Sequence, residues 1–138
     1  MSMKWTPDYS VEHDEMDEQH QQLFTIINEY YEAVDRKASF ADLIKVFDRV
    51  LAFTDYHFKE EEEMMERCQF PKLTEHKIIH RTLVERVLEL REDLKNQKQG
   101  SQDTVKYFLK NWLSSHIKGI DKQYSGYANV ENNRAKAS

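Results

Sequence analysis

Apolar residues recur along the chain at every third or fourth position, the period of a helix with one buried face. The first such run covers about residues 16–37, with Phe24, Ile27, Tyr31 and Val34 on one stripe. A break at Ala38-Ser39 precedes a second run over about residues 40–67, whose stripe is Leu43, Phe47, Val50 and Thr54, continuing to Met64. Ser39 suits the N-cap there, because its hydroxyl can accept from an orphan backbone N–H. Cys68 to Pro71 forms the next turn, and Pro71 fits near the start of a third helix reaching about residue 98, where first-turn N–H groups lack helical partners anyway. That helix carries Leu83, Val87, Leu90 and Leu94. A polar loop around Gly100 leads into a fourth helix over about residues 102–118, with Val105, Leu109 and Trp112. A non-periodic arm with Trp5 and Pro7 precedes the first helix, and residues 128–138 are polar and expected to fray. Four amphipathic helices joined by short loops predict an all-α, up-down-up-down antiparallel four-helix bundle. The expected division is one domain over residues 1–127 and a polar C-terminal tail over residues 128–138.

Composition narrows this picture without redirecting it. The 138 residues suffice for a single core. Three glycines and two prolines are too few for folds built on tight turns, which excludes sandwiches, barrels and glycine-loop nucleotide folds. Seven Phe, seven Tyr and two Trp argue against disorder. With a net charge of -5 and no cluster of lysine or arginine, the chain is a poor partner for nucleic acid or an anionic membrane surface. No stretch approaches the roughly 20 apolar residues of a membrane span, and the first residues lack the apolar segment of a signal peptide. The one cysteine, Cys68, cannot form an internal disulfide and reads as an incidental thiol. A cytoplasmic location is the expectation.

The histidines change the picture. When each apolar stripe is extended in alternating steps of three and four, five of the six histidines fall on it. His20 leads into Phe24 and Ile27; Thr54 is followed by His57, Glu61 and Met64; His76 and His80 precede Leu83; His116 follows Trp112. A single histidine on an apolar face is ordinarily a core residue with a local hydrogen bond. Five imidazoles and the Glu61 carboxylate aimed into one interior would each carry a desolvation cost, which a bound cation removes. Asp121 lies five residues beyond His116, about 140° around a regular helix. Gly119 between them suggests that the helix ends or bulges there, turning Asp121 back toward the same point. Five imidazoles and two carboxylates are too many donors for one ion. Two ions sharing both carboxylates and a solvent-derived oxygen would be six- and five-coordinate, leaving one open position for a small diatomic molecule.

These residues give the chain a specific likeness. Asp17-Glu18-Gln19-His20 with Leu23-Phe24, His57-Phe58-Lys59-Glu60-Glu61 with Met64, His76-x-x-x-His80, and Trp112-Leu113-x-x-His116-Ile117-x-x-x-Asp121 resemble the hemerythrin family, its small single-domain bacterial members in particular. The likeness runs from about Trp5 to Tyr127. It implies a hemerythrin-like bundle holding two non-haem iron ions, cycling between Fe2+ and Fe3+ with an oxo or hydroxo bridge. His76, His80 and His116 would hold the six-coordinate ion, His20 and His57 the five-coordinate one, and Glu61 and Asp121 would bridge. The family's apolar O2 pocket matches Phe58, Trp112, Leu113 and Ile117. His13 matches no family ligand and is expected at the surface, and the residues around Glu61 in the run 60–63 are expected to be a solvated face.

The implied function is reversible O2 binding for storage, delivery or buffering, with NO and azide-like anions as further ligands. The protein is not expected to be an enzyme. Di-iron enzymes of the ferritin type use Glu-x-x-His motifs, which the chain lacks, and five neutral imidazoles with two carboxylates stabilise high-valent iron poorly. The alternative is a sensor module in which O2 or NO occupancy, or redox state, is read by a partner protein. The length leaves no room for an attached output domain, which favours the binding role.

Overall fold

The computed structural model describes residues 3–137. Four long helices, α1 (Asp14–Asp35), α2 (Phe40–Arg67), α3 (Leu73–Lys95) and α4 (Ser101–Gly119), form the antiparallel bundle, with a shorter α5 (Ser125–Ala137) at its end. One-turn 3-10 helices stand before α1 (Pro7–Tyr9) and between α4 and α5 (Asp121–Tyr124). Each long helix packs on its neighbours in sequence, and α4 closes the bundle against α1.

The periodic stripes become the core. Ile27, Phe47, Leu94, Val105 and Leu109 are wholly buried, each contributing about 1.5–3 kcal/mol of apolar transfer. The helix ends follow local chemistry. Ser39 caps α2 by accepting from the Asp42 N–H at 3.1 Å. Gly100 takes a left-handed φ of 80° at the N-terminus of α4, a conformation in which a Cβ would be strained. Arg91 of α3 grips Asp48 of α2 through two hydrogen bonds of 2.6 and 3.1 Å. Cys68 ends α2 half-buried, where burial pushes its thiol up and keeps it protonated.

Two expectations at the chain ends give way. Residues 128–138 were expected to fray, yet residues 128–137 lie in α5, with Ala128 wholly buried and Asn132 nearly so, while Ser138 lies outside the described residues. Ala128 and Asn132 lie four apart on one face of α5, just after the buried Tyr124 that ends the 3-10 turn, and Asn132 Oδ1 accepts from the Asp14 N–H at 2.9 Å. His13 is buried rather than on the surface. Its Nδ1 accepts from the Met16 N–H at 3.3 Å and so caps α1, while Nε2–H donates to Glu131 of α5 at 3.2 Å. Glu131 also takes the Arg67 Nε–H. His13 thus ties the start of α1 to α5. His13→Ala is expected to lower stability by about 1 kcal/mol, the usual effect of losing an N-cap, as a lower urea midpoint. Metal content should be unchanged; a loss of metal in this variant would contradict the structural role.

Candidate metal centre

The seam positions of the helices converge at one level of the bundle. From α1 comes His20; from α2, one turn apart, His57 and Glu61; from α3, one turn apart, His76 and His80; and from α4, His116. Asp121 arrives by a different route. Helix α4 runs through Gly119 and stops, and the following 3-10 turn begins with Asp121, whose Oδ1 comes within 3.0 Å of His116 Nε2. Gly119 itself is not required for this turn. Its φ lies outside the left-handed region, and a Cβ there would meet nothing within 4 Å.

The seven side chains fall into two groups that share both carboxylates. Glu61, His76, His80, His116 and Asp121 offer donor atoms within 4.8 Å of one another, as do His20, His57, Glu61 and Asp121. The oxygens are divided between the groups. Glu61 Oε1 lies 3.3 Å from His76 Nε2 and 3.0 Å from His80 Nε2, and Asp121 Oδ1 lies 3.1 Å from His76 Nε2 and 3.0 Å from His116 Nε2. On the other side, Glu61 Oε2 lies 3.5 Å from His20 Nε2 and 3.3 Å from His57 Nε2, and Asp121 Oδ2 lies 3.2 Å from His20 Nε2. Taken together, Glu61 Oε1 and Asp121 Oδ1 therefore face three imidazoles, and Glu61 Oε2 and Asp121 Oδ2 face the other two.

All seven residues are buried, with Glu61 and Asp121 at 0% exposure. Nε2 of His20, His76, His80 and His116, Oε1 of Glu61 and both oxygens of Asp121 have no hydrogen-bond partner among the described residues. Buried polar atoms are nearly always satisfied. Seven orphans converging on two points, with nitrogen and carboxylate oxygen as the donor set, fit a pair of transition-metal cations.

Without metal, protons hold the cluster together. Burial disfavours a charged His20 or His76, but the Asp121 and Glu61 carboxylates outweigh it and raise both to about 9. Burial holds His57 down. Burial raises Glu61, yet the surrounding His57, His20 and His76 hold it well below the usual carboxylate range. Asp121 is likewise held far down, with His116 and His20 outweighing burial and the Glu61 charge. A histidine raised above its unfolded value of 6.5 stabilises the fold fully below pH 6.5 and loses that contribution as pH rises through its folded value. The metal-free protein is therefore expected to lose stability between pH 6.5 and about 9. Urea unfolding in the presence of chelator should record the decline, and a flat profile across this window would contradict it.

Other residues complete the surroundings. Phe58 stacks face to face on His80, centroids 3.7 Å apart, and Trp112 lies edge-on to Phe58 at 6.1 Å and beside His116 at 6.2 Å. Leu113 and Ile117 are fully buried on α4. Three contacts were not anticipated. Gln19 Oε1 accepts from His57 Nδ1–H at 2.7 Å, Glu62 Oε2 accepts from His80 Nδ1–H at 2.8 Å, and the buried Tyr124 hydroxyl donates to Glu61 Oε2 at 2.8 Å. Glu62, expected on a solvated face, instead backs a site imidazole.

Comparison with known proteins agrees with this architecture. The family description "Hemerythrin HHE cation binding domain" matches residues 11–128. A myohemerythrin of Riftia pachyptila is 37% identical over 122 residues, covering 88% of this chain and 90% of its own. A bacteriohemerythrin of Stenotrophomonas maltophilia is 32% identical, covering 88% of this chain and 78% of its own. A crystal structure of wild-type hemerythrin superposes with a TM-score of 0.82 at 26% identity, covering 92% of this chain and 98% of that one.

Proposed function

The chain belongs to the hemerythrin family, and from that premise we propose that it binds O2 reversibly at a pair of non-haem iron ions. His76, His80 and His116 would hold one ion, His20 and His57 the other, and Glu61 and Asp121 would be shared between them, with an oxo or hydroxo bridge expected from the family likeness. The observation that carries this reading is the division of oxygens, with Oε1 and Oδ1 facing three imidazoles and Oε2 and Oδ2 facing two. When bound, the ion pair supplies two electrons that a diatomic ligand can accept and return.

The chain's own residues set the limits of that chemistry. Five neutral imidazoles and two carboxylates bring little negative charge, which favours return of the electrons over bond cleavage. Phe58, Trp112, Leu113 and Ile117 form the apolar O2 pocket and exclude the water that would promote loss of the bound ligand as a reduced species. Tyr124 holds Glu61 in its bridging orientation through the 2.8 Å hydrogen bond. Among the described residues no helix is long and apolar enough to cross a membrane. The protein is proposed to act in the cytoplasm. NO and azide-like anions are expected to compete for the open position.

Gas exchange tests binding against turnover. Iron-loaded, reduced protein should take up one O2 per chain and release it as O2 under vacuum. Steady conversion of O2 to water or peroxide, or steady oxidation of an organic substrate, would contradict reversible binding.

A further inference from the structure

The two groups of imidazoles differ in what stands behind them. In the two-imidazole group, His57 donates from Nδ1 to the neutral amide of buried Gln19 at 2.7 Å, and the buried Nδ1 of His20 has no hydrogen-bond partner among the described residues. In the three-imidazole group, His80 donates from Nδ1 to the Glu62 carboxylate at 2.8 Å. Helix α2 makes this possible. Consecutive residues point about 100° apart, so Glu61 enters the interior while Glu62 reaches around to the outer edge of the His80 ring on α3. The Glu62 side chain is 27% exposed, so its charge keeps part of its hydration. Phe58 stacks face to face on the His80 ring with centroids 3.7 Å apart, which further restricts the ring's orientation.

A carboxylate accepting from the far nitrogen of a ligating imidazole fixes the ring and makes the near nitrogen a stronger donor. An amide oxygen fixes the ring with much less effect on its basicity. Resting on the function proposed above, we propose that Glu62 is a positioning residue that sets the two metal positions apart. It makes the three-imidazole position the stronger electron donor, so that the ion there holds the ferric state more firmly than the ion at His20 and His57.

Iron-loaded Glu62→Gln tests this. Dithionite supplies two electrons, one to each ferric ion; the first should enter at His20 and His57 and the second at the three-imidazole position, each step read by potentiometric titration, with Mössbauer spectra reporting the two iron environments separately. Glu62→Gln should favour the reduced form in the second step by about tenfold, corresponding to a rise of about 59 mV for one electron, with only the three-imidazole iron environment altered. Glu62→Asp should return the potential toward the wild-type value. Gln19→Glu should lower the potential and alter the other environment. A clamp with no electronic effect would weaken retention of ferrous and ferric iron alike and leave the potential in place; that outcome, or equal change in both iron environments, would overturn the proposal. A wild-type chain that fails to hold two irons would overturn the function on which it rests, and is seen before any variant is made.

Discussion

Glu61→Gln is expected to leave the protein with less than one iron per chain after anaerobic loading, and to abolish any O2-dependent absorption. Glu61 is the one side chain whose two oxygens face four imidazoles, those of His20, His57, His76 and His80, at 3.0–3.5 Å. Glutamine preserves the shape but removes the charge, and it presents an N–H group to a nitrogen or a cation that needs a lone pair. Loss of a hydrogen-bonding partner behind a ligand weakens metal binding by about 10–100-fold. Loss of a ligand shared by both ions should exceed the upper end of that range. The helices themselves should persist, because the seam above and below is closed by Phe47, Val50 and Met64. Far-UV circular dichroism beside the metal assay separates the two effects. Two irons bound in this variant would mean that Glu61 does not bridge.

Iron loading is expected to raise stability by about 4 kcal/mol when free metal stands at 1,000 times its dissociation constant. For a chain of this size the melting temperature should rise by about 10–20 °C. The physical source is the set of buried donor atoms without hydrogen-bond partners, which a cation satisfies and an unfolded chain does not present in one place. Melting curves with and without chelator at a fixed pH measure the difference. Identical curves would show that the cluster gains nothing from metal.

Much of the site was legible because the bundle uses one rule twice. The steps of three and four that bury Phe47, Val50 and Leu109 also carry His57, Glu61 and His116 inward, so the polar seam residues are found by extending the apolar ones. Asp121 required more, since its position on a continuous helix would face away; only the helix ending at Gly119 and the 3-10 turn after it bring the carboxylate back. The glycine marks that place without being needed for it.

What stayed hidden lacks an apolar signal. Helix α5 contributes Ala128 and Asn132 to its inner face and holds on through Asn132 and Glu131, so no hydrophobic stripe announces it. His13 carries the residue type of a ligand in the position of a cap. Gln19 and Glu62 are adjacent in sequence to His20 and Glu61 but serve imidazoles on other helices. Their roles follow from interhelical packing, which the order of residues along a chain does not encode directly. Tyr124 could have been anticipated as a buried phenol needing an acceptor, but only the fold identifies Glu61 as that acceptor.

As proposed, this bundle would hold a pair of irons that binds O2 and lets it go. Metal analysis combined with optical spectra through repeated cycles of air and argon tests it most directly. Two irons per chain are expected, with a charge-transfer band that appears with O2 and disappears on its removal, cycle after cycle. Zinc in place of iron, fewer than one metal per chain after anaerobic iron loading, or a spectrum indifferent to O2 would contradict it.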